Sequence, residues 1–407
     1  MSNHINRLIG PFSQIIPFSG MHLKGPLKDE ELLLIKDGGV LVQDGRIVSV
    51  GAFEAMAKEY PGASVEEITQ PAVLLPGFID CHTHTCFAGT RSQDYALKLQ
   101  GKNYLDIARE GGGIRRTVDF TRNATEAELT ESLLSRINRH FAEGVTTIEV
   151  KSGYGLSVEH EIKMLSAIQK AAHQTKASVV STCLAAHTLP KEYEGRSGEY
   201  LEMILNELLP EVKSRELSKR VDIFIEDTAF ALAEAEYYLL AAKKMGFNFT
   251  VHADQFTPGG AMLAARLGAQ SADHLEASGE LDIRALAESQ TVAVVLPGAS
   301  LGLGIPFAPA RKLLDAGCCL AIASDWNPGS APMGDLLLQA SILSIYEKLN
   351  FAETIAGLTF RAAKALGLND RGVLARGLRA DMIAFPVNDF REILYHQGKM
   401  KPFMVWA

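Results

Sequence analysis

Histidine and aspartate residues stand at spacings that could bind a metal ion. His82 and His84 are two residues apart in "PGFIDCHTH", and side chains two apart on a strand point to the same face. His252 follows the apolar run "FNFTV", and Asp325 follows "CLAIAS". Three imidazoles and one carboxylate suit zinc or iron and leave a position open for water. These residues therefore predict a metal site of the kind that activates water for hydrolysis.

A barrel of parallel strands could bring these residues together. Eight short apolar segments alternate with helical stretches, which is typical of successive β/α units. The segments are "LLPGFIDCHTH", "TTIEVKSG", "VVSTCLAAH", "VDIFIED", "FNFTVHAD", "SADHLE", "VAVVLPG" and "CLAIASD". Between them, Thr125 and Glu128 form a capping box and Gly246 ends a helix. The predicted fold class is α/β, a (β/α)8 TIM-type barrel with its chemistry at the carboxyl ends of the strands.

The two ends of the chain predict a second, smaller unit. Apolar runs in "ELLLIKDGGVLVQDGRIVSVG" are interrupted by Asp37-Gly38 and Asp44-Gly45, the dipeptides of tight hairpin turns in an antiparallel sheet. The tail after Leu368 resembles strands and shows no helical period. We expect a composite β-sandwich domain from residues 1–73 and 369–407, and a metal-dependent hydrolase barrel at 74–368.

Composition predicts a soluble protein that acts on a small molecule. The 407 residues are 47% hydrophobic, enough for a large core without disulfides. Five cysteines without paired spacing indicate a reducing, cytoplasmic environment. We expect no export signal and no membrane span, since no apolar run reaches about 18 residues. The net charge of −8 argues against nucleic acid or an anionic membrane as a partner.

Single polar residues allow simpler interpretations. A lone histidine at a strand end, such as His187 or His274, is more often a hydrogen-bonded structural residue than a ligand. Lys151 could be carboxylated to bridge two metal ions, but it is expected on the second strand, which favours one metal and a structural charge. Arg91, just beyond the first strand, offers a cationic fork for a carboxylate, with a surface salt bridge as the alternative.

Several motifs together resemble the amidohydrolase superfamily. "PGFIDCHTH", His252, His274 and Asp325 match its pattern, and "RGVLARGLRADMIAF" resembles its return into a small β-sandwich. The resemblance sharpens in "CFAGTRSQDY", "IEVKSGYGL", "AAHTLPKEY", "HADQF", "SADHLE" and "SDWNPGSAP". These segments resemble the branch that opens an imidazolone ring in histidine degradation. The implied reaction is metal-dependent hydrolysis of the cyclic amide of 4-imidazolone-5-propanoate to N-formimidoyl-L-glutamate.

The resemblance also implies roles for individual residues and a homodimer. One Zn or Fe ion per subunit would be bound by His82, His84, His252 and Asp325. Catalytic roles would fall to His274, Asp325 and Gln255. Substrate would contact Arg91, Tyr154, His187, Gln255, Asn327, Gly329 and Ser330. The turn "NPGS" after Asp325 could offer backbone N–H groups to a carboxylate, or be only a turn.

Two other functions remain open. A cyclic amidine deaminase of the same superfamily commonly carries Glu three residues after the histidine of the fifth strand. Gln255 stands there instead, and an amide cannot deliver a proton at neutral pH. A catalytically inactive scaffold barrel is the other alternative, although such proteins typically lose metal ligands that this chain retains. Metal content and ammonia release would separate these possibilities.

Overall fold

The computed structural model describes residues 6–102 and 112–407 of the chain. Its strands are β1 (Arg7–Ile15), β2 (Ile35–Gln43), β3 (Arg46–Ala52), β4 (Ser64–Glu67), β5 (Val73–Pro76), β6 (Phe78–Asp80), β7 (Val145–Lys151), β8 (Ser178–Ala186), β9 (Arg220–Ile223), β10 (Asn248–Phe249), β11 (Val251–Ala253), β12 (Ser271–His274), β13 (Val292–Val295), β14 (Leu320–Ile322), β15 (Met382–Phe385) and β16 (Met404–Trp406).

Helices lie between most of these strands. The described α-helices are Phe53–Glu59, Ser92–Leu99, Ile114–Asn123, Glu126–Ala142, Val158–Ala172, Ser197–Met203, Leu209–Ser214, Leu232–Lys244, Gly260–Leu267, Glu280–Glu288, Pro297–Leu303, Ala310–Asp315, Leu336–Glu347, Phe351–Leu358, Phe360–Ala365 and Arg391–Tyr395. A π-helical segment, Ile204–Leu208, joins two of them, and short 3-10 turns occur at Asp29–Glu31 and Lys191–Tyr193. Within the part of the chain described, no helix combines the length and the apolar character needed to cross a membrane.

The α/β barrel prediction is confirmed, and each of the eight predicted segments contains a strand. Parallel strands form two sheets, with the orders β10-β9-β8-β7-β6 and β11-β12-β13-β14. Isolated parallel bridges join the sheets at both seams, Phe224 with His252 and Thr83 with Trp326. One seam runs through the fifth segment, which is split into β10 and β11. The capping box of Thr125 and Glu128 is also present.

The first predicted strand is two strands in two different sheets. β5 pairs with β1 and β15, whereas β6 pairs with β7 in the barrel. Gly77 lies between them, and a Cβ on it would be 2.3 Å from Thr146 Oγ1. Because Thr146 of β7 lies so close to Gly77, β5 ends before this glycine and β6 begins after it. Residues 74–76 therefore pair in the smaller sheet, and the division into two domains stays a prediction.

The smaller sheet has seven strands and takes them from both ends of the chain. Its order is β16-β15-β5-β1-β2-β3, with β4 also paired to β1. The Asp44-Gly45 turn joins β2 and β3 as predicted, but Asp37 lies inside β2, which continues with a positive φ of 48° there. The sheet is mixed rather than antiparallel, because β1 pairs in parallel with β4 and β5.

Two helices occur where the sequence predicted only strands. One is Phe53–Glu59, directly after β3, and the other is Arg391–Tyr395 in the tail. Both have fewer than eight residues, too short to show a helical period in the sequence. Asp389 is the local signal for the second helix, since its Oδ1 accepts a hydrogen bond from the Arg391 N–H at 2.9 Å.

Candidate active site

One cavity of about 600 Å³ opens among the ends of the barrel strands. Its wall includes every residue predicted from the sequence to act in the site except His82, which is fully buried beside it. The other wall residues are Lys98, Ile114, Phe224, Glu226, Asp227, Thr228, Phe256, Thr257, Leu303 and Ile305. The fold thus brings the predicted residues from six separate parts of the chain to one place.

Three histidines and one aspartate converge at the bottom of this cavity. His84 Nε2 lies 3.2 Å from His82 Nε2 and 3.1 Å from His252 Nε2. Asp325 Oδ1 lies 3.4 Å from His84 Nε2 and 3.6 Å from His82 Nε2. His82 and His84 follow β6, His252 is on β11 and Asp325 follows β14. The bridge between Thr83 and Trp326 therefore joins the segment that contains His82 and His84 to the segment that contains Asp325.

Carboxylates orient two of these histidines. His82 Nδ1 is 2.7 Å from Asp273 Oδ2 and His252 Nδ1 is 2.9 Å from Asp222 Oδ2. A carboxylate on Nδ1 keeps the proton there and leaves the Nε2 lone pair facing the cluster. Neither Asp222 nor Asp273 was predicted from the sequence. The sequence feature that could have revealed them is a charged residue inside each apolar strand, at a position whose side chain points into the barrel by the two-residue alternation of a strand.

Burial sets the protonation of the cluster. It lowers the pKa of His82 and His84 below the ordinary value, and it lowers the pKa of His252 to about 3. Burial raises the pKa of Asp325 to about 7. Neutral imidazoles with convergent Nε2 atoms and a nearby carboxylate are the donor set that zinc or iron prefers. The residues present fit a metal ion, and the part of the structure described has a histidine-rich potential metal site.

His274 stands next to this cluster at the end of β12. Its ring centroid is 5.3 Å from that of His252, and its Nδ1 lies 3.5 Å from Glu276 Oε2. Burial lowers the pKa of His274, but the charges of Glu276, Asp325 and Asp273 outweigh burial and raise it above the ordinary value. The backbone of His274 has a φ of 90°, a conformation rarely adopted by residues with a side chain. The strand end is thus bent at the residue that faces the cavity.

His187 and Tyr154 form another side of the cavity. The His187 ring stacks on His84 with centroids 5.0 Å apart, and its Nδ1 is 3.0 Å from the carbonyl oxygen of Gly153. Burial lowers the pKa of His187 to about 4, so a neutral ring faces the cavity. Tyr154 lies 5.4 Å from His187 between ring centroids, and burial raises its pKa. Both residues offer neutral polar groups at neutral pH.

Arg91 and the segment after β14 form a further part of the cavity wall. Arg91 Nε donates to Asp94 Oδ2 at 2.9 Å, and a Cβ on Gly329 would be 2.3 Å from Arg91 Nη1. Asn327 Oδ1 accepts the backbone N–H groups of Gly329 and Ser330, at 2.7 and 2.8 Å. The suggestion that these two N–H groups are exposed for a carboxylate is therefore wrong, because the Asn327 side chain already accepts both.

Lys151 ends β7 inside the barrel. Its Nζ lies 2.8 Å from Glu149 Oε1 and 2.9 Å from Asp222 Oδ2. Burial opposes its charge, but Asp222, Glu149 and Asp273 raise the pKa of the ammonium above its ordinary value. A carboxylated lysine requires a neutral amine, so these contacts favour the interpretation of Lys151 as a structural charge.

Comparisons with known proteins agree with this fold and site. The chain matches the amidohydrolase family over residues 73–398 and the imidazolonepropionase-like composite domain of bacteria over residues 38–63. It is 41% identical to the imidazolonepropionase of Yersinia enterocolitica over 91% of this chain and 92% of the relative. It is 39% identical to that of Myxococcus xanthus over 97% of this chain and 94% of the relative.

Solved structures share the fold at low sequence identity. Atrazine chlorohydrolase from Arthrobacter aurescens TC1, complexed with zinc, superimposes with a TM-score of 0.71 at 16% identity over 98% of this chain and 94% of that chain. An adenosine deaminase from Xanthomonas campestris with bound zinc gives a TM-score of 0.68 at 18% identity over 99% and 92%. At these identities the likeness concerns the fold alone.

Fold, histidine cluster and family match together define a hydrolase of the α/β-barrel class. The chain belongs to the amidohydrolase family, and within it to the imidazolonepropionases. The matches extend over nearly the whole chain, so they cover both the barrel and the smaller sheet.

Proposed function

We propose that this chain hydrolyses the ring amide of 4-imidazolone-5-propanoate and releases N-formimidoyl-L-glutamate. The observation that carries the proposal is the content of one cavity: a convergent histidine cluster at its bottom and Arg91 on its wall. A substrate with a reactive carbonyl at one end and a carboxylate at the other matches this arrangement. Relatives that are about 40% identical carry the name of this reaction.

One metal ion per subunit, zinc or iron, is part of the proposal. His82, His84, His252 and Asp325 would hold it through Nε2 atoms and a carboxylate oxygen. When bound there, the ion supplies a Lewis acid that makes water a nucleophile near neutral pH. The zinc reported for the structural neighbours supports this assignment.

The chain's own groups would move the protons. Asp325 accepts a proton from the attacking water, because its Oδ1 lies 3.4 Å from His84 Nε2 and 3.6 Å from His82 Nε2, beside the place where the ion and its water would bind. His274 donates a hydrogen bond to the carbonyl oxygen as negative charge develops on it. Collapse of the tetrahedral centre then breaks the ring C–N bond, and the proton that Asp325 took from the water passes to the departing nitrogen.

Substrate orientation would come from residues on the wall of the cavity. Arg91 is placed to pair with the propionate carboxylate, because its guanidinium is fixed by Asp94 and packed against Gly329. Tyr154, His187 and Gln255 offer hydrogen bonds to ring atoms. Asn327 and Ser330 fix the Asp325 carboxylate. Asn327 Nδ2 donates to Asp325 Oδ2 at 2.8 Å, and Ser330 Oγ donates to the same oxygen at 3.2 Å.

The test is incubation of the purified protein with freshly made 4-imidazolone-5-propanoate. We expect the imidazolone absorbance to fall without ammonia release, and metal analysis to give about one ion per chain. Ammonia release from cyclic amidines would favour a deaminase instead, and two ions per chain would contradict the one-metal site. The homodimer is also part of the proposal, and sedimentation velocity measures it.

A further inference from the structure

A network of buried ions lies inside the barrel beside the histidine cluster. Glu149, Lys151, Asp222 and Asp273 have no exposed surface. In barrels of this class the interior is mostly filled by branched apolar side chains. Burying an ammonium among carboxylates costs desolvation free energy, so stability alone does not account for the network. Its contacts lead to the segments of the chain that contain His82, His84 and His252.

One branch of the network leads to His252. Asp222 Oδ2 lies between Lys151 Nζ, at 2.9 Å, and His252 Nδ1, also at 2.9 Å. Asp222 Oδ1 accepts the backbone N–H groups of Ile223 and His252, at 2.7 and 3.2 Å. One carboxylate therefore fixes both the ring and the backbone of His252. Lys151 holds the oxygen that faces the ring.

The other branch leads to the segment that contains His82 and His84. Glu149 Oε1 contacts Lys151 Nζ at 2.8 Å, and Glu149 Oε2 accepts the backbone N–H of Thr83 at 3.1 Å. The Lys151 backbone N–H also donates to the Thr83 carbonyl oxygen at 3.0 Å. Thr83 is the residue between the two histidines. Lys151 is thus connected to this segment through both its side chain and its backbone.

We propose that Lys151 is a positioning residue, whose ammonium ties together the two parts of the chain that carry His82, His84 and His252. The inference rests on the metal site of the proposed function. A lysine that acted only through its charge would repel a bound cation, and its removal would tighten metal binding. If Lys151 positions the histidines, its removal weakens metal binding instead, because the three Nε2 atoms lose their fixed spacing.

The test compares the zinc affinity of Lys151→Met with that of the wild-type protein by competition with a chromophoric chelator. We expect the dissociation constant to rise about 10- to 100-fold, the effect of removing groups that orient metal ligands. The visible spectrum of the cobalt-substituted protein should change as well, since it reports ligand geometry. Lys24→Met is the matched control: this lysine bonds the carbonyl oxygens of Ala287 and Ser289, away from the cluster, and zinc affinity should stay unchanged.

Loss of a buried cation can lower stability, so melting temperatures are recorded and a double variant is prepared. Lys151→Met with Glu149→Gln removes the charge of one carboxylate that the single variant leaves without a cation, and we expect the double variant to fold and to bind zinc as weakly as the single variant. Zinc affinity equal to or above wild type in a folded variant would overturn the inference. So would failure of both variants to fold while Lys24→Met folds. A wild-type protein that binds no metal would instead overturn the proposed function.

Discussion

Arg91 reaches the cavity from the loop after β6, where Asp94 and Gly329 define the position of its guanidinium. We expect Arg91→Lys to raise KM about tenfold or more, equivalent to ~1.4 kcal/mol, with a smaller change in kcat. A point ammonium cannot contact Asp94 and also grip a carboxylate with two parallel hydrogen bonds. Steady-state kinetics measures both constants.

The control for Arg91 is Arg116. Its Nη1 lies 3.6 Å from Asp94 Oδ1, so it contacts the same carboxylate, but it is not on the wall of the cavity. Arg116→Lys should leave KM near the wild-type value. Wild-type KM and kcat in Arg91→Lys would show that another group binds the propionate.

His274 faces the reacting carbonyl in the proposed mechanism. We expect His274→Ala to lose about 10²- to 10³-fold in kcat, the usual effect of removing one oxyanion donor, with little change in KM. Metal content should stay near that of the wild-type protein. His160→Ala, on the helix Val158–Ala172, is the control for loss of a histidine elsewhere. Loss of metal from purified His274→Ala would identify His274 as a metal ligand. In the wild-type protein a ring nitrogen of His274 lies close enough to the ligand atoms of His82 and Asp325 for all three residues to share an ion.

At the scale of elements, the junction between β5 and β6 depends on a residue without a side chain. We expect Gly77→Ala to lower the free energy of unfolding by about 1–3 kcal/mol, because the added methyl group meets Thr146. Thermal or denaturant unfolding measures the change. Gly62→Ala is the control, since no atom lies within 4 Å of its Cβ position. Equal melting temperatures for both variants would contradict the prediction, because they would show that a methyl group fits beside Thr146.

The helix Glu126–Ala142 is fastened to the barrel by His140. Its Nε2 lies 2.8 Å from Asp80 Oδ2, and Asp80 also accepts the backbone N–H of Ser324 at 3.0 Å, which joins β6 to the end of β14. Burial lowers the pKa of His140, but Asp80 and Glu143 outweigh burial and raise it above its ordinary value.

This raised pKa predicts a pH dependence of stability. A histidine whose folded pKa is raised stabilises the fold fully below its unfolded pKa of about 6.5, and this contribution is lost as pH rises through the folded value. The melting temperature of wild type should exceed that of His140→Gln most below pH 6, and the difference should narrow toward pH 9. For His160→Gln, where burial lowers the pKa of the native histidine, no such narrowing is expected. A constant difference for His140→Gln would contradict the prediction.

Local sequence patterns predicted the strands and helices better than they predicted which strands pair with each other. Apolar segments and the Thr125 capping box are local features, so the eight barrel strands and a helix start were predicted correctly. The division of the first segment at Gly77 depends on Thr146, and the mixed pairing of the smaller sheet depends on β1; both are distant in sequence. For the same reason the sequence revealed the histidines of the cluster but missed Asp222 and Asp273, because the histidines that these two carboxylates contact are distant in sequence.

For the whole molecule, metal removal should lower thermal stability. An ion that binds only the folded chain stabilises it by about 4 kcal/mol when its concentration is 1,000-fold above Kd. We expect the melting temperature to fall after treatment with a chelator and to recover with zinc or iron, as calorimetry would measure. The double variant His82→Asn with His84→Asn is the control and should not respond to metal. A wild-type melting temperature that ignores both treatments would contradict the metal site.

The shared sheet also has a consequence for synthesis of the chain. β5 pairs with β15, which is made about 300 residues later, a delay of about 15–60 s at ordinary ribosome speeds of 5–20 residues per second. During this time the edge of β5 that pairs with β15 has no partner strand, while the barrel beside it is being made. An unpaired apolar edge is a template for association with other chains. We therefore expect the nascent protein to be most prone to association with other chains between the synthesis of β5 and that of β15.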